Sequence, residues 1–388
     1  MNTQPHRRNF LVSSAAALAA SPLKAEPADD VRAAFIGVGV RGGELLKNAL
    51  ASGNFRVTAI SDIDPQARDL ALSAASRYNP KPVTAWRQVL DLKDVEAVFV
   101  ATPCDLHAEM AVASLEAGKH IYLEKPLGIT AEQVDRVLKA ARRSSAILQI
   151  GQQLRYYPSV REAIRQIHDQ RLAGQPYILK AHRHGGRSRS GEAKESNSRE
   201  KTRNDWYADV KRSGDLIVEN AVHNIDCCNW IAGSRPASAY GHGKKYFPKP
   251  MPAGTLMMDA FSVEFIYENG MDCQYSQISF HPRSMKVLPS GMWYTVFGET
   301  GSIFMTHDSA SYFDLYGESE PLDMLKGLGD KSNPDANAIR DFHESIRQKR
   351  PPFAGLQVAA TAALSAILAR EAIYKGRSVG WNELGVTL

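Results

Sequence analysis

Gly37, Gly39 and Gly42 form a Gly-x-Gly-x-x-Gly run, with Val40 and Arg41 inside it, at the end of the apolar stretch "RAAFIGV". There the first glycine makes a tight turn and the second lets backbone approach a pyrophosphate. Free N–H groups at the start of the following helix would face the phosphates. Asp62 stands twenty residues past Gly42, at the end of a second apolar run. Its carboxylate suits a ribose 2′-hydroxyl and repels a 2′-phosphate. The spacing predicts a bound dinucleotide, NAD in preference to NADP. Lys125 lies between Glu124 and Pro126 after a further apolar run. An ammonium there can hydrogen-bond a reacting hydroxyl and stabilise the alkoxide that develops as hydride leaves.

These groups need elements to carry them. "RAAFIGV", "FRVTAISD", "VEAVFVAT" and "KHIYLEK" are apolar strands separated by helical stretches such as "RGGELLKNALAS" and "DLHAEMAVASLEAG". Continuous apolar strands alternating with helices predict a parallel sheet covered on both faces, with ligands at the strands' carboxyl ends. Beyond residue 150 the pattern changes. "AFSVEFIYENGMDCQYSQISF" (260–280) reads as two alternating strands around an Asn-Gly turn, and "WYTVFGETGSIFMT" and "ASYFDLYG" add further strands. The expected fold is α/β: a Rossmann dinucleotide-binding domain over 31–150, then an α/β domain over 151–375. The second domain would carry a large, mainly antiparallel open sheet for substrate and subunit contacts.

The run "TPCDLHAEMAVASLEAGKHIYLEKPL" (102–127), together with the upstream glycine turn, resembles the Gfo/Idh/MocA oxidoreductases. The resemblance extends from about Val31 to the C-terminal helices. It implies that Thr102, Pro103, His107 and Glu124 line the nicotinamide side and that Lys125 is the catalytic lysine of a Glu-Lys-Pro motif. It also implies an open sheet that forms homo-oligomers. The family's second motif, a helix with Asp-x3-His, is matched by "SGDLIVENAVHNIDCCNW" (213–230), where His223 takes the histidine position and Glu219 stands in place of aspartate. Four residues apart, Glu219 and His223 share a helix face. An imidazole there is a natural base for a hydroxyl proton. Asp226 continues that face and either orients His223 or caps a packing contact. His182 and His184 alternate on one strand face; with Glu219 and His223 they offer a metal set, against the simpler reading of solvated or substrate-contacting histidines. Trp206 and Tyr207 either stack on a sugar ring or pack.

The first residues raise a separate expectation. "HRRNFLVSSAAALAA" (6–20) pairs Arg7-Arg8 with Phe10-Leu11 and a short apolar run, the make-up of a twin-arginine export signal over residues 1–25. At Leu11–Ala20 the run is about half the length a spanning helix needs. Its removal would lower the net charge from +5 to +2, because Arg7, Arg8 and Lys24 leave and no acid does. A nearly neutral mature chain calls for no nucleic-acid or membrane partner. The four cysteines show no metal spacing and read as idle thiols. The segment 183–203, with seven Lys/Arg against three Glu, reads as a solvated loop or a flap over the active site. Export of a folded protein with its NAD already loaded implies a tightly held cofactor restored in each cycle, and a periplasmic oxidoreductase of a sugar or polyol CH–OH group. Two other readings remain. One is an NAD-dependent glycosidase or lyase that oxidises a sugar transiently; the other is a non-catalytic sugar-binding or scaffold protein, for which Lys125 and His223 would have no use.

Overall fold

The computed structural model describes residues 30–185, 206–246, 257–282, 284–285 and 290–388. The expected signal segment and most of the basic segment 183–203 lie outside them. Six parallel strands form the first sheet: β1 (Val31–Ile36), β2 (Phe55–Ser61), β3 (Lys81–Val83), β4 (Ala97–Val100), β5 (His120–Leu123) and β6 (Leu148–Ile150). Their order is β3-β2-β1-β4-β5-β6, which reverses beside β1 and opens a crevice at the carboxyl ends of β1 and β4. Every residue of β4 is buried. The Phe35 and Phe99 rings stack at 4.5 Å between centroids.

The sheet is completed from far along the chain. The Pro334–Gln348 helix is capped by Asn333, whose side chain accepts from the N–H groups of Asp335 and Ala336. It lays Phe342 edge-on against Phe99 at 5.5 Å. A helix of the expected second domain thus packs into the core of the first.

The second sheet has nine strands: β7 (Pro176–His184), β8 (Pro236–Lys244), β9 (Ala260–Tyr267), β10 (Asp272–Ile278), β11 (Gly291–Gly298), β12 (Gly301–Met305), β13 (Ala310–Asp314), β14 (Leu322–Asp323) and β15 (Val379–Gly380). Their order is β14-β13-β12-β11-β7-β10-β9-β8-β15, and β7–β10 is the parallel pair in an otherwise antiparallel sheet. One face is covered by the Val222–Ala232 and Leu356–Lys375 helices, against which Leu179, Phe265, Cys273 and Val296 are buried. The other face is open. The Leu356–Lys375 helix is long and apolar enough to cross a membrane, but 67% of its apolar window is buried inside the protein. It is apolar all round because it is core.

Candidate active site

Gly37 ends β1 with φ +81°, and a Cβ there would stand 2.6 Å from the Ala101 carbonyl oxygen. At Gly42 a Cβ would come within 1.9 Å of the Gly37 oxygen. Both glycines are demanded by the protein's own backbone. Gly39 differs: a Cβ there would meet no protein atom within 4 Å. Its ψ of −147° is one that glycine adopts more readily than other residues, and the open space beside it fits a ligand pressed against the start of the Val40–Ser52 helix. Asp62 follows β2 and accepts from Val38 N–H (2.7 Å) and Asp64 N–H (2.8 Å), so its carboxylate is held beside the glycine turn. Turn, helix start and acid fit a dinucleotide.

Behind this cradle, several residues expected at the ligand are bonded to one another. Arg41 forms a bidentate pair with Asp335 (2.8 and 3.0 Å) and bonds Glu124 at 2.7 Å. These acids more than offset the burial of the guanidinium and hold its pKa above its usual range. Glu124, 4% exposed, also accepts from its neighbour's N–H, Lys125 N, at 3.2 Å. Its carboxyl group lies over Gly151, where a Cβ would be 2.6 Å away. His107 is buried, and its two ring nitrogens face the carbonyl oxygens of Pro126 (2.7 Å) and Thr102 (2.9 Å). It ties the Glu-Lys-Pro loop to the end of β4 and presents neither nitrogen to the crevice, which corrects its expected place on the nicotinamide side. Thr102 Oγ1 donates to Met110 Sδ at 3.4 Å. Thr102 and Pro103 remain half-buried at the crevice.

Lys125 crosses from the first domain to the second. Its ammonium donates to both the backbone oxygen and Oε1 of Glu219, each at 2.7 Å. Burial would push this ammonium's pKa down, but the Glu219 carboxylate offsets it and holds the value above normal. The Leu216–Glu219 turn is anchored by Asp215, which sits at φ +78° and accepts from Leu216 N–H, Met258 N–H and the Tyr374 hydroxyl. A strained non-glycine residue beside a functional turn is a frequent place for such strain.

His223 begins the next helix and pairs through Nδ1 with Gln152 Oε1 at 3.0 Å. An amide oxygen can only accept, so Nδ1 carries the proton and Nε2 is the basic nitrogen. Burial, then the charges of Lys125, Arg183 and Arg41, hold the imidazole's pKa well below its ordinary value. His223 is neutral.

Sequence reasoning missed the wall opposite. Arg183 on β7 donates to the Asn220 oxygen at 3.4 Å. Gln277 on β10 donates to Asn220 Oδ1 at 2.8 Å and accepts from the Tyr275 hydroxyl at 2.8 Å. Asn220 Nδ2 in turn reaches the Tyr207 hydroxyl at 3.4 Å. Their signal was available: Arg183 alternates with Ala181 and Leu179 on the covered face of β7.

Two expectations fail to converge on the site, and a third does so only in part. Asp226 does not orient His223; it forms a bidentate pair with Arg155 (2.7 and 2.9 Å), both buried, and Arg155 also lies over the Trp230 ring. Gln152 does the orienting. His182 and His184 sit on the other face of β7 from Arg183, stacked at 4.0 Å, so the sheet separates them from Glu219 and His223. Among the described residues no three potential ligands could hold a metal ion. Trp206 and Tyr207 meet edge-to-face at 5.7 Å and pack against the core, and of the two Tyr207 reaches the wall, through its hydroxyl on Asn220. All four cysteines are buried and free.

The NAD-binding Rossmann domain of the Gfo/Idh/MocA oxidoreductases matches residues 31–152, and the C-terminal alpha/beta domain of the same family matches residues 171–381. The chain belongs to this family. Among curated relatives, it is similar to the scyllo-inositol 2-dehydrogenase (NAD(+)) of Bacillus subtilis, 26% identical over 83% of this chain and 88% of that one. A glycosyl hydrolase family 109 protein of Stenotrophomonas maltophilia is 37% identical over 34% of this chain and 32% of its own length. The chain spans less than two thirds of the length of several of its curated relatives. Levoglucosan dehydrogenase, solved with NADH and levoglucosan, shares the fold at a TM-score of 0.75 and 19% identity, covering 90% of this chain and 99% of that one. Within the family's second motif, the Glu219 that replaces the usual aspartate is the residue that reaches Lys125.

Proposed function

We propose that this protein oxidises a CH–OH group of a sugar or polyol with NAD, using Lys125 and His223. The observation that carries the reading is a charged lysine, paired to Glu219, beside a histidine held neutral at the mouth of a dinucleotide crevice. The glycine turn and Asp62 would hold NAD, which when bound supplies the hydride acceptor. His223 Nε2 takes the hydroxyl proton. Lys125 has spent two of its three N–H donors on Glu219, and the third is left for the substrate oxygen as negative charge develops. Gln152 keeps the imidazole in the required tautomer.

Lys125→Ala and His223→Ala should each slow hydride transfer roughly 10²–10⁴-fold while NADH still binds. The measurement is single-turnover nicotinamide absorbance. Because His223 titrates well below its ordinary pKa of about 6.5, activity should persist to pH values below that point and fall only where the imidazole finally protonates. Wild-type rates in His223→Ala would remove the proposed base.

Export of the folded, NAD-loaded protein to the periplasm is supported by Arg7-Arg8 and the apolar run after them. With no outside pool to exchange with, the cofactor would stay bound and be restored in each cycle. A homo-oligomer through the open sheet is supported by Ile178, Tyr240, Ile266, Phe297 and Phe313, which expose apolar surface on that face. Similarity to a glycosyl hydrolase favours one second reading, transient oxidation followed by loss of a glycosidic substituent and re-reduction. Release of an aglycone with no net change in NADH would select it.

A further inference from the structure

The cations around the crevice fall into two kinds. Lys125 is matched by Glu219, Arg41 by Glu124 and Asp335, and Arg155 by Asp226. Arg183 forms no ion pair among the described residues. Its one hydrogen bond there, to the Asn220 oxygen, is long at 3.4 Å and uses one of five N–H donors. Yet Arg183 is no ordinary surface arginine. It is half-buried on the covered face of β7, which lies between β10 and β11 in the middle of the sheet. With no carboxylate beside it among the described residues, this half-buried guanidinium keeps most of its donors for a partner that lies outside them.

Its position says where that partner would lie. Lys125 and Arg183 bond successive backbone oxygens, those of Glu219 and Asn220, so both flank the turn that leads into His223. Asn220 is held in place by Gln277 and Tyr207, and Gln277 by Tyr275. The wall beside Arg183 is therefore a fixed set of amide and hydroxyl groups, suited to a hydroxylated molecule, with one guanidinium fork in it that is open among the described residues.

We infer that Arg183 recognises a carboxylate on the substrate, which makes the substrate an acidic sugar or sugar acid, a hexuronate or hexonate, rather than a neutral one. The inference rests on the oxidoreductase reading above and deepens it. One planar guanidinium matches one singly charged carboxylate in a bidentate fork, whereas a doubly charged phosphate ester would leave a charge unmatched. A carboxylate here also does something for the chemistry. Burial, Lys125, Arg183 and Arg41 all disfavour a proton on His223, and an anion seated on Arg183 removes part of that opposition when the base must act.

The test compares matched substrates on the NAD-loaded protein: hexuronates and hexonates of several ring stereochemistries, the corresponding neutral hexoses, and hexose 6-phosphates. Hydride transfer is followed by nicotinamide absorbance. Binding to the NADH-loaded protein is followed separately by thermal shift. The acidic sugars should be preferred over the neutral ones in kcat/KM. In Arg183→Gln that preference should fall roughly 10–100-fold, mainly through KM, as expected for losing a charge-assisted hydrogen bond. Arg183→Lys should restore part of it. NADH affinity reports whether each variant is folded.

A preference for neutral sugars, or an acid-to-neutral ratio unchanged in Arg183→Gln, overturns the inference. A stronger response to the phosphate esters overturns the choice of carboxylate. Arg183-dependent binding of a uronate with no hydride transfer would uphold the anion site and sink the oxidoreductase reading instead. Oxidation of neutral sugars alone would do the reverse.

Discussion

Gly39 and Gly42 sit three residues apart in one motif, yet the structure expects different consequences from adding a methyl group to each. At Gly42 the new Cβ would lie 1.9 Å from the Gly37 oxygen, far inside any carbon–oxygen contact, so the turn or the helix must move by more than 1 Å. Overpacking of that severity costs about 1–3 kcal/mol, and here it falls on backbone that cannot swing aside. At Gly39 the Cβ would meet nothing within 4 Å, and φ is −63°, but ψ is −147°, outside the regions that residues with a side chain favour. Gly39→Ala should therefore cost the nucleotide-free protein about 1 kcal/mol through that ψ, with no steric clash added, and so less than Gly42→Ala. Its effect should appear with the cofactor, since the methyl group occupies the space a pyrophosphate needs. NADH at 100 times its Kd stabilises the native state by about 2.7 kcal/mol; a 100-fold weaker site at the same concentration leaves about 0.4 kcal/mol. The assay is thermal or urea unfolding of protein stripped of nucleotide, with and without NADH. Gly42→Ala should lose stability in both conditions, and Gly39→Ala should lose less of it but most of the NADH-induced gain. If Gly39→Ala destabilises the stripped protein as much as Gly42→Ala does, or keeps the full NADH gain, the assignment of Gly39 to the pyrophosphate is wrong.

Two further outcomes test other parts of the account. Asp226→Ala leaves the Arg155 guanidinium buried without its carboxylate and should cost about 3–5 kcal/mol in denaturant unfolding; a loss under about 1 kcal/mol would show that Trp230 and solvent already satisfy Arg155. Changing Arg7 and Arg8 to lysine should leave the protein in the cytoplasm with its first segment uncleaved, and unchanged fractionation would end the export proposal.

What could be read from the sequence was what is local in it. Gly42 is dictated by backbone geometry within a single strand–turn–helix unit, Gly37 by its left-handed φ and by the Ala101 carbonyl after β4, and Asp62 stands at the next strand end, so their spacing points to a dinucleotide. Lys125 is legible for the same reason. The partners that decide what these groups do come from elsewhere. Gln152 reaches His223 across 71 positions, and Lys125 reaches Glu219 across 94. Helical periodicity put Asp226 near His223 but could not show that Arg155, 71 positions away, had claimed it. Arg41 and Glu124 were legible as members of motifs. That Arg41, bonded to Glu124, is also bound to Asp335 depends on a C-terminal helix crossing back onto the first sheet. The apolar Leu356–Lys375 segment shows the same limit, since composition does not reveal what covers a helix.

β7 carries the argument one step further, because its alternation assigns chemistry to two faces at once. Arg183 lies opposite Gln277 on β10 and Met292 on β11, facing the helices and the crevice. His182 lies opposite Ser276 and Trp293, facing the open side. A slip of one residue in this register would turn Arg183 outward and bring a histidine to the crevice wall, exchanging a permanent cation for a titratable group. What holds the register is the buried set Leu179, Ala181, Cys273, Tyr275, Tyr294 and Val296, all on the covered face. The charge offered to the substrate is thus fixed by apolar packing on the same strand. A second copy seated on the open face would stiffen that strand without touching the substrate.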